Sequence, residues 1–237
     1  MEYQKINTLF KRDENNIIIP TEFTLPEFDY LRKNIFECTE KIDGCNLRME
    51  IKGKEITFAG RTNKAQIPPH LLEYLKNTFT PEIVFNALGV SLETGINEAS
   101  TCTIYGEGYG FKIQKGSNYI KNGVGFILFD VRIDRWWLKR EDCKRIAEKL
   151  GCPIVPIIGY MTLTDAVKYV KGGFKSTIAE NKDYDAEGLV LKTPDGLLLR
   201  NGERLITKIK TVDFIKFKNK YGEEALEQQL NSVLYHG

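Results

Sequence analysis

Six short stretches of this sequence, taken in order, hold the side chains that could do chemistry. They are Glu40-Lys41-Ile42-Asp43-Gly44, Gly60-Arg61-Thr62, Tyr105-Gly106-Glu107-Gly108, Phe126-Ile127-Leu128-Phe129-Asp130, the run from Glu187 and Gly188 to Lys192, and Lys208-Ile209-Lys210. A lysine amine attacks an electrophile only after losing its proton, and free lysine titrates near about 10.4, so a nucleophilic lysine needs burial, neighbouring cations or a metal to lower it. Alone, a Lys-x-Asp-Gly turn reads as a solvated loop. Charged residues crowd the segment from Glu40 to Asp43 where an apolar core strand would not place them, and five further elements follow in a fixed order. It is the order that makes the set specific.

The ordered set resembles the covalent nucleotidyltransferase superfamily of polynucleotide ligases and mRNA capping enzymes. Within it, Asn46 five places after the lysine, Arg61-Thr62 and the short spacing are most similar to the ATP-dependent RNA ligase 2-like branch. The resemblance implies an α+β nucleotidyltransferase fold, ATP-grasp-like, of packed antiparallel sheets with flanking helices. It implies ATP and Mg²⁺ or Mn²⁺ as cofactors, and RNA ends or a nicked duplex with 5′-phosphate and 3′-hydroxyl as partner. Lys41 is then the nucleophile that forms a lysyl-AMP phosphoramidate. Lys208, Lys210 and Arg61 supply positive charge that presses on its proton and stabilises the phosphate oxygens. By the same resemblance Glu107 binds the ribose hydroxyls, and Glu187 holds the metal, while Asn46 orients metal-bound water. Phe126 stacks on adenine, Val190 closes the other face, and adenine choice rests on hydrogen bonds near Glu40. Rival readings are an ATP-dependent DNA ligase core, which shares Asp43, a GTP-dependent capping guanylyltransferase, and a non-catalytic nucleic-acid-binding module. Only a short helical tail, 211–237, follows Lys210. The reading is a single adenylyltransferase domain over 1–237, either a minimal ligase or the catalytic part of something larger.

Composition is consistent with this and excludes other classes. The 237 residues are 42% hydrophobic and 28% charged, with 34 basic against 32 acidic side chains, which suits a soluble globular chain able to bury a core. No apolar run approaches a membrane span, and the charged start predicts no secretory leader, so a cytoplasmic chain is expected; a bacterial or virus-infected cell as its setting is what the resemblance implies, and a monomer is expected. Five scattered cysteines without a CxxC pair suggest reduced thiols. Cys45, within the nucleophile motif, reads as a small packed side chain. Two histidines, His70 and His236, cannot make a zinc site and read as surface residues. Lys112, Lys115, Lys121, Arg132, Arg135 and Lys139 could line a nucleic-acid backbone face, and Trp136-Trp137 reads as packing.

The positioning elements follow from periodicity. Leu47, Met49 and Ile51 alternate with polar residues before a Lys52-Gly53-Lys54 turn and Ile56-Thr57-Phe58, a hairpin pattern. A second hairpin is read from Leu189–Leu191 and Leu197–Leu199 around Thr193-Pro194-Asp195-Gly196. The continuous apolar run 125–131 reads as a strand covered on both faces. Helices are expected over 68–79, 140–150, 164–170 and 223–234, the third capped by Thr164.

Overall fold

The computed structural model describes residues 1–114 and 119–234, so Lys115 and His236 lie outside the described residues. Along the chain run β1 (Asn7–Thr8), β2 (Phe10–Arg12), β3 (Ile18–Phe23), α1 (Pro26–Tyr30), β4 (Phe36–Lys41), β5 (Cys45–Lys52) and β6 (Glu55–Gly60). Next come α2 (Pro69–Thr78), α3 (Pro81–Leu88), β7 (Cys102–Gly110), β8 (Val124–Ile133), β9 (Trp136–Trp137) and α4 (Arg140–Leu150). The rest are β10 (Ile157–Met161), α5 (Leu163–Lys171), β11 (Gly188–Lys192), β12 (Ile206–Lys210), α6 (Thr211–Tyr221) and α7 (Glu223–Leu234). Two compact units result. The first comprises Met1–Tyr3, Ile42–Val155 and Ala179–Asn181, and the second Gln4–Lys41, Pro156–Ile178 and the chain from Lys182 onward.

The first unit is an antiparallel sheet in the order β6-β5-β7-β8-β9. Residues alternate across a strand, and here the alternation sorts chemistry from core. Leu47, Met49 and Ile51 of β5 join Ile104 of β7 and Phe126, Leu128 and Val131 of β8 in one cluster with Leu71, Leu75 and Phe79. Val84 and Phe85 of α3 and Ile146 and Leu150 of α4 complete it. Asn46, paired with Glu107, and Arg48, paired with Tyr105, belong to the other face. The expected first hairpin is present, with Lys52 opposite Glu55.

The second unit holds a five-stranded sheet, β1-β12-β11-β4-β10, and the β2-β3 ribbon. Its core cluster takes Cys38, Leu189, Leu191 and Ile209 from one face of the sheet, with Leu163 and Val167 of α5, Phe214 and Phe217 of α6, and Leu226 and Leu230 of α7. The opposite face carries Lys41, Gly188 and Lys210 in one cross-strand row and Thr39, Val190 and Lys208 in the next.

Three expectations are corrected. The turn at 193–196 forms, with the Gly196 N–H donating to the Thr193 carbonyl at 3.0 Å. However, Leu197–Leu199 does not return along β11, because β4 and β12 already occupy both of its edges. The segment instead folds against 203–205, where the Leu205 N–H donates to the Leu197 carbonyl at 2.8 Å, and Leu198 is left exposed. The cap of α5 is Thr162 rather than Thr164: its Oγ1 accepts from the Asp165 N–H at 3.1 Å. Helices α1, α3 and α6 were not read from periodicity; α3 starts at Pro81 directly after α2 and ends at Gly89, which has φ +72°. No helix among the described residues is long and apolar enough to cross a membrane.

Gly188 is the tightest requirement of the second sheet. Its φ is +152°, and a Cβ there would lie 2.0 Å from the Ile209 carbonyl oxygen. Gly188→Ala is therefore expected to part β11 from β12 and to cost about 1–3 kcal/mol, read as a lower urea midpoint; an unchanged midpoint would show that the strands relax around it.

Candidate active site

In the second unit β4 ends on Lys41, β12 ends on Lys208-Ile209-Lys210, and β11 is inserted so that Gly188 stands directly across from both Lys41 and Lys210. Gly188 presents no side chain, and Glu187, immediately before it, spans the row. Its Oε2 lies 2.5 Å from Lys41 Nζ and its Oε1 2.5 Å from Lys210 Nζ. The backbone of Glu187 is fixed as well, since its carbonyl accepts from the Thr211 N–H at 3.0 Å at the start of α6. Side-chain exposures of 19% for Lys41, 14% for Glu187 and 28% for Lys210 put these charges partly out of water, where each pair is stronger than on an open surface.

Lys208 stands one row further along, beside Val190. Burial lowers its pKa from 10.5 to about 8, helped by the like charges of Lys41 and Lys210, while Glu187 works the other way. Arg12 adds to the positive field and is itself tied by Nη2 to Asp213 Oδ2 at 2.6 Å. Lys41, Lys208 and Lys210 thus bring three amines to one end of the sheet, and cations held partly out of water attract the oxygens of an anion.

Glu40 was expected beside the nucleotide. Strand alternation turns its side chain away from the Lys41 row, and it is 1% exposed. Its carboxylate accepts from Ser176 Oγ at 2.5 Å, the Thr177 N–H at 2.9 Å and Thr177 Oγ1 at 2.6 Å. Those bonds satisfy a buried charge and commit the side chain to holding segment 176–177. Val190 is half-buried on the lysine face.

In the first unit Asn46 and Glu107 are directly paired across β5 and β7. Asn46 Oδ1 is buried and accepts no hydrogen bond among the described residues. A buried amide oxygen without a donor is one that a water could satisfy; separately, in the second unit, the carboxylate of Glu187 offers hard oxygens of the kind that Mg²⁺ takes. Arg61 lies in the turn after β6 with its side chain exposed. Cys45 is packed as expected: burial, then the charge of Glu107, raises its thiol pKa. Arg132 and Arg135 line an open cavity of about 550 Å³ shared with Glu50, Glu55 and Asp134, so this surface is mixed in charge. Trp137 packs edge-on to Tyr3 at 5.7 Å, whereas Trp136 is 70% exposed.

Phe126 is placed elsewhere than expected. It pairs with Gly108, one residue out of phase with Glu107, and so joins the helix-covered core. It is 2% exposed, its ring meets Phe79 edge-on at 5.3 Å, and a Cβ on Gly106 would come within 2.2 Å of it. The residue opposite Glu107 is Ile127. A fully apolar run gives no alternation from which this phase could be read, and a proposed aromatic stacker offered no signal for the neighbouring isoleucine.

Two outcomes follow from these placements. Phe126→Ala is expected to cost about 3–5 kcal/mol of stability in urea unfolding, as a cavity in a packed core does; a variant of full stability that has lost nucleotide affinity would restore the stacking role. Lys208 has a folded pKa below its ordinary value, so from pH 8 to 10.5 the unfolded chain binds more proton and stability rises with pH. Over that window the urea midpoint of the native chain should climb relative to that of Lys208→Met, and parallel curves would contradict the shift. Below pH 8 the amine is charged and available to phosphate.

A family model described as RNA ligase matches residues 34–210. No curated protein matches the chain at a significant level. Among solved structures, the RNA ligase of Naegleria gruberi with PPi aligns with a TM-score of 0.58 and 21% identity, over 90% of this chain and 58% of that one. A lysine-to-methionine variant of that ligase with AMP and Mn gives 0.59 at 21% identity over the same shares. Another variant, with ATP and Mn, gives 0.57 at 20% identity over 94% and 57%. This chain thus shares their α+β fold and spans just under three fifths of their length. With the match running from before the strand that presents Lys41 to Lys210 itself, the chain belongs to the RNA ligase family.

Proposed function

We propose that this chain is the adenylyltransferase domain of an ATP-dependent RNA ligase, either a minimal ligase or the catalytic part of something larger, with α6 and α7 following Lys210. The observation that carries the reading is the Lys41–Glu187–Lys210 row with Lys208 beside it, in a chain of the RNA ligase family. Lys41 Nζ attacks the α-phosphorus of ATP; a P–N bond forms as the bond to pyrophosphate breaks, and the amine proton passes to water. Lys208, Lys210 and Arg61 neutralise charge on the phosphate oxygens. Glu107 takes the ribose hydroxyls, while Val190 offers aliphatic surface to the base. Glu187 directly and Asn46 through water would hold Mg²⁺ or Mn²⁺, which supplies further positive charge to the phosphates. AMP then passes from Lys41 to the 5′-phosphate of an RNA end, at a break or in a nicked duplex, and attack by a 3′-hydroxyl forms the phosphodiester and releases AMP.

The bound ATP and AMP of the Naegleria structures support adenylate chemistry over the guanylate of a capping enzyme, and the family match favours RNA over DNA. Incubation with α-labelled ATP and Mg²⁺ should give an acid-resistant protein adduct that Lys41→Ala abolishes. No adduct, or one formed only from GTP, would overturn the assignment. Nicked duplexes whose 3′-hydroxyl strand is RNA should be sealed, whereas sealing confined to DNA strands would make the chain a DNA ligase.

A further inference from the structure

Arg48 was not among the residues singled out by sequence, yet its guanidinium anchors the chain at and just beyond the end of β6 through three hydrogen bonds. It is 3% exposed, on the face of β5 that also carries Asn46 two residues earlier. Its Nη1 donates to the carbonyl oxygens of Gly60 at 2.8 Å and Arg61 at 2.9 Å, and its Nη2 to Asn63 Oδ1. Its Nε lies 3.4 Å from Glu50 Oε1, a charge partner on the same strand. Asn63 is in turn fixed through its N–H, which donates to Glu2 Oε1 at 2.9 Å.

Successive carbonyls of an extended strand point to opposite sides. One nitrogen can reach the carbonyls of both Gly60 and Arg61 only if the chain leaves the extended form between them, which is where β6 ends. Arg48 therefore holds the bend that sets the direction in which Arg61 leaves the sheet. A planar guanidinium with several fixed donors can do this, whereas a lysine ammonium has one nitrogen and no fork. The two Nη atoms are spent on backbone carbonyls and Asn63, with Glu50 as a charge partner, and the Arg61 side chain is left exposed.

We infer that Arg48 is a positioning residue for adenylylation, acting through Arg61: its guanidinium aims the Arg61 side chain at the phosphates of ATP. The inference rests on the proposed role of Arg61 in lysyl-AMP formation. Three variants, Arg61→Ala, Arg48→Lys and the double variant, are compared in single-turnover adduct formation with labelled ATP, with circular dichroism to confirm folding. Arg61→Ala and Arg48→Lys are each expected to lower the rate about tenfold, mostly through a higher KM for ATP, and the double variant to match Arg61→Ala within about twofold. A double variant about a hundredfold slower would show that Arg48 acts independently of Arg61, as a merely structural residue does, and would overturn the inference. Arg61→Ala at the native rate would remove the premise and the inference with it, while adduct formation that still depends on Lys41 would leave the ligase reading standing. Should Arg48→Lys fail to fold, Asn63→Ala replaces it: a smaller loss that vanishes in the Arg61→Ala background supports the inference, and a native rate overturns it.

Discussion

The carboxylate of Glu187, shared by two lysine amines, is the interaction on which the second unit's chemical face depends. Lys41 and Lys210 come from strands that are not neighbours; β11 runs between them, and a side chain at Gly188 would collide with β12. Removing that side chain lets β11 lie close to β12, and placing a glutamate just before it lets one acid compensate two cations. Without Glu187, Lys41 and Lys210 would lose the carboxylate they share while partly out of water, with Lys208 in the next row. Like charges so arranged repel, and desolvation adds to the cost. The depressed pKa of Lys208, caused first by burial and then by its two lysine neighbours, shows how much of that pressure remains even with Glu187 present.

Both units solve the problem of presenting charge in the same way. Each is a sheet with helices packed on one face, and each keeps its polar residues on the other. Helix packing excludes water from the core face, so a charge there must be fully satisfied, as Glu40 is by Ser176 and Thr177. On the other face of the first unit Asn46 Oδ1 is buried with no hydrogen-bond donor among the described residues. Arg48 is intermediate: it lies on the polar face but is buried, its guanidinium consumed in shaping the chain at Gly60 and Arg61.

Much of this was legible in the sequence. Lys41, Glu187, Lys208 and Lys210 could be named because they fall on the ordered motifs of the family that the sequence resembles, and the structure brings these four together on one sheet. The β5–β6 hairpin was legible because Leu47, Met49 and Ile51 alternate with polar neighbours. Phe126 and Glu40 were not. The run from Gly125 to Val131 is apolar throughout, so nothing marks which of its residues face the helices. Glu40 precedes the lysine in sequence, but one step along a strand is a reversal of face. Likewise, Leu197–Leu199 looked like a returning strand because turn chemistry at 193–196 is local, whereas the occupancy of β11's edges is not.

What the sequence determined by itself was the family and the order of its motifs, because those reside in residue types at fixed spacings along the chain. What only the tertiary structure decided was which charges meet: that Glu187 holds Lys41 and Lys210 together, that Glu40 is spent on Ser176 and Thr177, that Phe126 belongs to the core, and that Arg48 grips the bend before Arg61. Each of these is a contact made through strand pairing or across a turn, and its free energy depends on register and burial. Neither is carried by residue type alone.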